Sequence, residues 1–188
     1  MTTVLGILGS PRRGGNAEAM LDKALEGASQ AGASCDKISL NELSIRPCQE
    51  CGGCDGTAEC VIRDDMDKVY RKVDSADAII LASPIFFGDI TAQAKAMIDR
   101  FQSRWVRKYR LKRPALTRKK GAFLCISAME KPDFFENARK TVKTFFTVLD
   151  IDYVGDRWCH GKSQKSDVLK DRRCLDSAFE LGKRLVQR

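Results

Sequence analysis

Short apolar runs alternate along the chain with longer segments in which apolar residues recur at helical spacing. The first run, residues 4–8, ends in Gly-Ser-Pro and predicts a buried strand followed by a turn. Apolar side chains then recur every three or four positions from Ala17 to Ala28, which predicts a helix with Asn16 as its N-cap. A strand followed by a helix is therefore the first structural unit.

The same unit repeats along the rest of the chain. Further strands are predicted at residues 35–40, 76–82, 121–127 and 153–158, and helical stripes at residues 64–73, 94–101, 135–149 and 175–186. Alternating strands and helices predict a parallel sheet with helices on both faces, because right-handed crossovers put helices on each side. We expect one α/β domain over residues 1–188, doubly wound in three layers (α/β/α), with five strands in the order 2-1-3-4-5.

Composition indicates the size of the core and the cellular compartment that we expect for this domain. The 188 residues are 43% hydrophobic, enough for one core, and no stretch approaches the length of a membrane span. The amino terminus lacks a basic leader, so we expect a cytoplasmic protein without a disulfide framework. Cys35 and Cys125 fall in predicted strands and are expected to be buried. Cys159 and Cys174 are isolated in sequence, and adjacency alone does not make Cys159-His160 a catalytic dyad.

The net charge of +8 is concentrated in residues 104–120, which hold nine basic and no acidic residues. Such a segment can bind nucleic acid, but no recognised nucleic-acid motif accompanies it, so we expect no nucleic-acid partner. The favoured interpretation is a solvated connection that attracts anionic cofactors or acidic electron carriers.

The loop after the first strand reads GSPRRGGN, residues 9–16. It lacks the Lys and Ser or Thr of a Walker A loop, and it is not the GxGxxG of dinucleotide-binding folds. Ser10 and Asn16 supply neutral donors and Arg12 a positive charge at a helix N-terminus, which suits one phosphate monoester. An ordinary turn between a strand and a helix is the alternative.

The loop after the third strand reads SPIFFGDITAQAKAMIDRF, residues 83–101. Two consecutive phenylalanines are more often part of a core. Here they lie between Pro and Gly where a loop should be exposed, which favours a platform for a flat ring.

Together these two loops resemble the flavodoxin-like NADPH-dependent FMN reductase family over residues 4–127. The resemblance implies that FMN is the cofactor and that Ser10, Arg12, Asn16 and the backbone at Ala17 bind its phosphate. It also implies a lining for the flavin ring: Pro84, Ile85, Phe86, Phe87 and Gly88, with the third loop starting at Ser127. Two departures are an alanine at position 17, where relatives usually have Ser or Thr, and a third loop without the usual glycines.

Four cysteines, Cys48, Cys51, Cys54 and Cys60, lie in a cysteine-rich loop at residues 47–60. The spacing allows an iron-sulfur cubane, a zinc site or redox-active thiols, and zinc more often uses two separated CxxC pairs. Within the resembled family this loop is similar to that of the iron-sulfur flavoproteins, which implies a [4Fe-4S] cluster.

The resulting hypothesis is an FMN-dependent oxidoreductase or electron-transfer flavoprotein. Its donor and acceptor would be NAD(P)H, another small molecule or a ferredoxin-like protein, and the resemblance implies a homodimer or tetramer. No acid or base is assigned, because the redox chemistry belongs to the cofactors. The alternative is a non-enzymatic flavin- or metal-binding redox sensor that contacts nucleic acid or protein through the basic segment.

Overall fold

The computed structural model describes residues 1–113 and 117–187 and is built on five parallel strands in the order β2-β1-β3-β4-β5. Their bounds are β1 Thr3–Leu8, β2 Ser34–Ser39, β3 Ala78–Pro84, β4 Lys119–Ile126 and β5 Ile151–Cys159. The predicted strand order is confirmed. The boundaries of all five strands differ from the predicted ones by at most two residues, which is the usual uncertainty at strand ends.

The helices cover both faces of the sheet. They are α1 Asn16–Gln30, α2 Met66–Ser75, α3 Ala92–Arg100, α4 Gln102–Trp105, α5 Pro132–Val148 and α6 Arg172–Val186. Short 3-10 turns span Leu40–Glu42 and Asp167–Lys170, and a π-helical turn spans Val106–Arg110. Within the described part of the chain, every helix is too short or too polar to cross a bilayer.

Two apolar clusters lie on opposite faces of the sheet. Along β1, Leu5 and Ile7 join the cluster beneath α2, α3 and α5, whereas Val4 and Leu8 join the one beneath α1 and α6. Side chains of a strand alternate between faces, so a strand that is apolar at every position is buried on both sides. This is the three-layer arrangement predicted from the sequence.

The structure corrects two expectations for the cysteines. Cys35 is exposed, because β2 is an edge strand on which only Ile38 is buried. Cys159 and Cys174 form a disulfide, since the end of β5 and the start of α6 bring their Cα atoms to 6.0 Å. Cys125 is buried as predicted.

The basic segment is only partly a connection. Its first residues continue helix as α4 and the π-helical turn up to Arg110. The prediction for residues 114–116 of this segment lies outside the described residues. The segment is therefore attached to the body of the fold at its beginning.

Candidate functional site

A cavity of about 320 Å³ lies at the carboxyl edge of the sheet, where β1, β3, β4 and β5 end. This is the position where doubly wound sheets bind ligands. Its walls come from four loops: Ser10, Pro11, Arg12, Gly15, Asn16, Ala17, Pro84, Ile85, Phe86, Ile126, Ser127, Ala128, Lys162 and Ser163. The structure thus brings together at this cavity most of the residues predicted to hold a cofactor, with Phe87 and Gly88 in the adjoining turn.

The loop between β1 and α1 is held by its own polar groups. Ser10 is buried, and its Oγ accepts a hydrogen bond from the Arg12 N–H at 3.2 Å. Gly14 has a φ of +61° and donates its N–H to Oε2 of Glu18 at 2.7 Å. Hydrogen bonds from Lys37 and from Gly14 hold the pKa of Glu18 below its usual value. The carboxylate therefore stays charged and fixes the loop at the start of α1.

Asn16 lies at the cavity wall, but its side chain is engaged elsewhere. Its Nδ2 donates to the carbonyl of Gln164 at 2.8 Å, and its Oδ1 accepts from the Val168 N–H at 3.1 Å. Gly15, whose backbone is extended, and not Asn16 is the N-cap of α1, and Asn16 is the first residue of the helix. Phosphate binding by the Asn16 side chain stays a prediction, and the observed contacts orient the neighbouring loop.

The sequence did not predict the positive side chains that the loop between β5 and α6 places at the cavity. Lys162 lines the cavity and pairs with Asp171 at 2.8 Å, and Lys165 packs against Gly14. Arg12 Nη1 donates to the Ser163 carbonyl at 3.3 Å. The run HGKSQKS, residues 160–166, follows the last strand at the same edge of the sheet, and that position was the available signal.

The turn after β3 projects two aromatic side chains beside the cavity. Phe86 exchanges backbone hydrogen bonds with Asp89, while Phe87 and Gly88 between them have φ values of +49° and +85°. Phe86 is 48% exposed and Phe87 fully exposed. A bulky residue rarely adopts positive φ, and such strain is concentrated at ligand-binding sites. The turn therefore presents aromatic surface that a flat ligand can cover.

Ser127 is fixed at the end of β4. Its Oγ accepts from Trp158 Nε1 at 2.8 Å and donates to the Met129 carbonyl at 2.7 Å, and its side chain is buried. Its backbone N–H donates to the Cys159 carbonyl. Its hydroxyl is thus already bonded on both sides, and any role toward a ligand stays a prediction.

These features fit the phosphate group of FMN. The cavity wall carries Arg12 and Lys162 and contains no carboxylate among the residues that the structure describes there. The first N–H groups of α1, at Asn16 and Ala17, are of the kind that lack an intrahelical acceptor. Backbone donors at a helix N-terminus next to cationic side chains form an anion site.

The cysteine loop is closed at its base by a buried ion pair. Arg100 of α3 lies 2.6 Å from Asp64 Oδ2 and is 1% exposed. The same carboxylate accepts from the N–H groups of Arg46 and Met66. Burial opposes the ionisation of Asp64, but Arg100 and these N–H groups hold its pKa below the usual value. Burial likewise opposes the charge of Arg100, while Asp64 and the nearby Cys60 raise its pKa.

The four cysteines lie at the surface of this loop. Cys51 is exposed, and Cys48, Cys54 and Cys60 are half-buried. Burial raises the pKa of the Cys54 thiol, and the Asp55, Cys60 and Cys48 charges act in the same direction. Within residues 1–113 and 117–187, His, Cys, Asp and Glu side chains form no group of three placed to hold a metal ion. Cysteine thiolates are the usual ligands for the iron of an iron-sulfur cluster. In this structure, however, the four thiols are not arranged as a cage.

A second cavity, about 670 Å³, joins the cysteine loop to the helices on that face. Cys48 and Glu50 form one wall, and α3 and α5 contribute Lys95 and Lys140 on the other. It lies apart from the residues of the smaller cavity. One half-buried cysteine therefore opens onto a groove that carries both signs of charge, since Asp99 also lines it and pairs with Lys95 at 2.7 Å.

Comparison with known proteins gives consistent results. The family model described as NADPH-dependent FMN reductase matches residues 2–155. An iron-sulfur flavoprotein of Archaeoglobus fulgidus is 35% identical over 97% of this chain and 78% of its own length. One of Methanosarcina thermophila is 33% identical over 97% of this chain and 92% of its own.

Solved structures share the fold at lower identity. A flavone reductase has a TM-score of 0.77 at 19% identity, covering 98% of this chain and 62% of that one. The NAD(P)H:quinone oxidoreductase of Methanothermobacter marburgensis has a TM-score of 0.76 at 19% identity, covering 99% and 96%. With the sheet order and the cavity at its carboxyl edge, the matches establish that this chain belongs to the NADPH-dependent FMN reductase family and to its iron-sulfur flavoprotein branch.

Proposed function

We propose that the chain is an FMN-dependent oxidoreductase that transfers electrons between a soluble donor and an acceptor. The observation that carries this proposal is the cavity between the β1–α1 loop and the turn after β3. Its wall combines cationic side chains and a helix N-terminus with exposed aromatic surface at the adjoining turn. A phosphate and a flat ring are the two parts of FMN that these features complement.

Each part of the site has a proposed task in holding FMN. Ser10, Arg12 and the N-terminal backbone of α1 at Ala17 would bind the phosphate, with Lys162 adding positive charge. Asn16 would hold the loop that carries Lys162, through the contacts its amide already makes. Pro84, Ile85, Phe86, Phe87 and Gly88 would line the ring, and Ser127 would close the far side.

Bound FMN would supply the redox chemistry, accepting electrons in pairs or singly and releasing them singly. The protein's residues bind and orient the cofactor and exclude water from one face of it. NAD(P)H or a ferredoxin-like protein is the proposed donor, and a homodimer or tetramer the proposed assembly. The family model's description supports NADPH at the level of the family only.

We further propose that Cys48, Cys51, Cys54 and Cys60 bind a [4Fe-4S] cluster. The spacing of the thiols and the names of the relatives support this. The side chains as described do not form a cage, so assembly would have to draw the four thiols together. Zinc and free redox thiols are the competing outcomes.

Anaerobic purification followed by flavin, iron and sulfide analysis tests the proposed function. We expect about one FMN per chain and about four iron and four sulfide, as the cubane formula requires. Bleaching of the flavin absorbance by NADPH would identify the donor. Protein that is colourless and takes up no added FMN would contradict the oxidoreductase proposal, whereas flavin without iron and sulfide would contradict only the cluster.

A further inference from the structure

A disulfide closes the loop that forms one wall of the cavity proposed to bind FMN. Cys159 is the last residue of β5, and Cys174 lies in the first turn of α6, 15 positions further along the chain. Lys162 and Ser163, which lie between the two cysteines, line the cavity. The disulfide therefore closes the segment that carries this part of the cavity wall, residues 160–173, which we call the β5–α6 loop.

Cys174 is connected to the cavity wall through the side chain of Asp171. The Cys174 N–H donates to Asp171 Oδ1 at 3.0 Å, and Asp171 Oδ2 pairs with Lys162 Nζ at 2.8 Å. The hydrogen bond from Lys162, followed by that from the Cys174 N–H, holds the pKa of Asp171 below its usual value. One charged carboxylate thus joins the start of α6 to a cation of the cavity wall.

Single hydrogen bonds also attach the β5–α6 loop to the body of the fold. The Lys162 N–H donates to the Ser127 carbonyl at 3.0 Å. The Asn16 side chain donates to the Gln164 carbonyl at 2.8 Å and accepts from the Val168 N–H at 3.1 Å. Each bond of this kind between uncharged groups changes an opening equilibrium by about two- to tenfold.

The covalent cross-link constrains the loop more strongly than any one of these bonds. Because the cysteines are 15 positions apart, the chain-entropy account of disulfides predicts that the cross-link lowers the population of open conformations by roughly a hundredfold. Without it, noncovalent contacts alone hold Lys162 and Ser163 at the cavity. We therefore expect the loop to open more often in the reduced protein.

The disulfide can be approached by a thiol from the side of Cys174. Cys174 is half-buried, whereas Cys159 is 3% exposed. A thiolate that attacks Cys174 Sγ forms a mixed disulfide there and releases Cys159 as a thiolate, which takes up a proton. A second thiol of the reductant then attacks the mixed disulfide and frees Cys174. In total, two thiols of the reductant become one disulfide, and the two cysteines become thiols.

We propose that the Cys159–Cys174 disulfide is a thiol-sensitive switch that sets how tightly the cavity binds the phosphate of FMN. In the oxidised state it holds Lys162 and Ser163 at the cavity wall. In the reduced state a smaller fraction of the molecules has this wall in place, and the affinity for the phosphate falls with that fraction. The switch rests on the proposed function, since the phosphate is that of FMN. In the cytoplasm that the sequence leads us to expect, disulfides are usually transient or redox-sensing.

The test compares flavin-free protein in its oxidised form and after reduction with dithiothreitol. Two quantities are measured: the ratio of the dissociation constants for riboflavin and FMN, and the hydrogen exchange of the Lys162 and Val168 amides. Peptide mapping after alkylation reports whether Cys159 and Cys174 are paired. The test variant is Cys174→Ser, and the control is Cys35→Ser, which removes an exposed free cysteine of the edge strand β2.

We expect reduction to lower the preference for FMN over riboflavin about tenfold and to speed exchange of both amides at least about tenfold. The affinity for riboflavin should change by less than about twofold, because riboflavin has no phosphate for the charged wall to bind. Reoxidation should restore the preference. Cys174→Ser should match the reduced wild type with or without dithiothreitol, and Cys35→Ser should match the wild type in both states. Unchanged exchange in β1 would show that the fold is retained.

The switch is refuted if the oxidised and reduced forms prefer FMN over riboflavin equally, even where the loop amides exchange faster. It is refuted as well if Cys174→Ser keeps the full preference, or if Cys159 and Cys174 stay unpaired under mild oxidation. Equal affinity of the oxidised wild type for riboflavin and FMN would be a different failure, because it would refute the proposed phosphate site and the switch together.

Discussion

Single hydroxyl groups connect the loops around the cavity at the carboxyl edge of the sheet. Thr91, which is fully buried, donates from Oγ1 to the Gly9 carbonyl at 2.5 Å and accepts from the Ala94 N–H at 3.3 Å. One side chain thus caps α3 and fixes the β1–α1 loop. Ser127 makes a similar connection between the ends of β4 and β5. Bonds of this kind keep the cavity wall in one arrangement before a ligand arrives.

At the opposite edge of the sheet, Asp77 ties β3 to β1. Its Oδ2 accepts from the Thr3 N–H at 2.8 Å and from Thr3 Oγ1 at 2.9 Å. The backbone bond first, and then the hydroxyl bond, hold the pKa of Asp77 below its usual value. Because the folded-state pKa is the lower one, this stabilisation is complete above the unfolded value of about 3.9 and is lost as the pH falls through the folded value.

We therefore predict that the free energy of unfolding falls more steeply with acidification in the wild type than in Asp77→Asn. Urea unfolding at about pH 6 and about pH 3 measures the difference. An equal fall in both proteins would show that this carboxylate does not contribute to the pH dependence.

The residue types in the sequence indicate which side chains line the site, but they do not reveal the hydrogen-bond partner of each side chain. Arg12 and Ser10, which the sequence predicted to bind a phosphate, lie in the cavity wall, and phosphate binding by them stays a prediction. The sequence could not show that the Asn16 amide bonds to Gln164 and Val168, because those residues are about 150 positions away in the chain. Lys162 was not predicted, although its position in the loop after the last strand could have indicated it.

At the scale of elements, α1 and α6 pack backbone against backbone. A Cβ at Gly27 would lie 2.1 Å from the Phe179 carbonyl oxygen, and one at Gly182 would lie 1.8 Å from the Ala24 carbonyl oxygen. Both distances are far inside van der Waals contact. The two glycines therefore set how closely these helices approach on one face of the sheet.

We predict that Gly182→Ala lowers the free energy of unfolding by about 2–3 kcal/mol, because the helices must separate. An exposed helical glycine changed to alanine would instead gain up to about 1 kcal/mol, so the sign is diagnostic. Gly56→Ala, where an added Cβ meets nothing within 4 Å, is the control for denaturant unfolding. Unchanged or increased stability of Gly182→Ala would refute the close packing.

Periodicity identified the types of the main elements but not their contacts. Apolar spacing located α1, α2, α3, α5 and α6, whereas the helical residues after Arg100 were hidden by the density of basic side chains. The Cys159–Cys174 pair was also unpredicted, because pairing depends on where β5 and α6 meet. Packing of distant segments decided each of these features.

At the scale of the whole molecule, the cavity proposed to bind FMN and the cysteine loop lie on one sheet. The cavity lies at the carboxyl edge, and the cysteine loop follows β2 and is held by α3 and α4. Strand order was predictable because right-handed crossovers leave few topologies, and strand order in turn located the cavity. The arrangement of the four thiols was not predictable, since they lie in a loop with little regular structure.

The proposed phosphate site is tested by the ratio of the dissociation constants of the flavin-free protein for riboflavin and for FMN, which differ by one phosphate. We predict that FMN binds at least about a hundredfold more tightly, and that Arg12→Ala reduces this preference at least about tenfold. Arg13→Ala, which removes an exposed neighbour paired with Glu42, should leave the ratio unchanged. Equal affinity of the wild type for riboflavin and FMN would contradict a phosphate site at the β1–α1 loop.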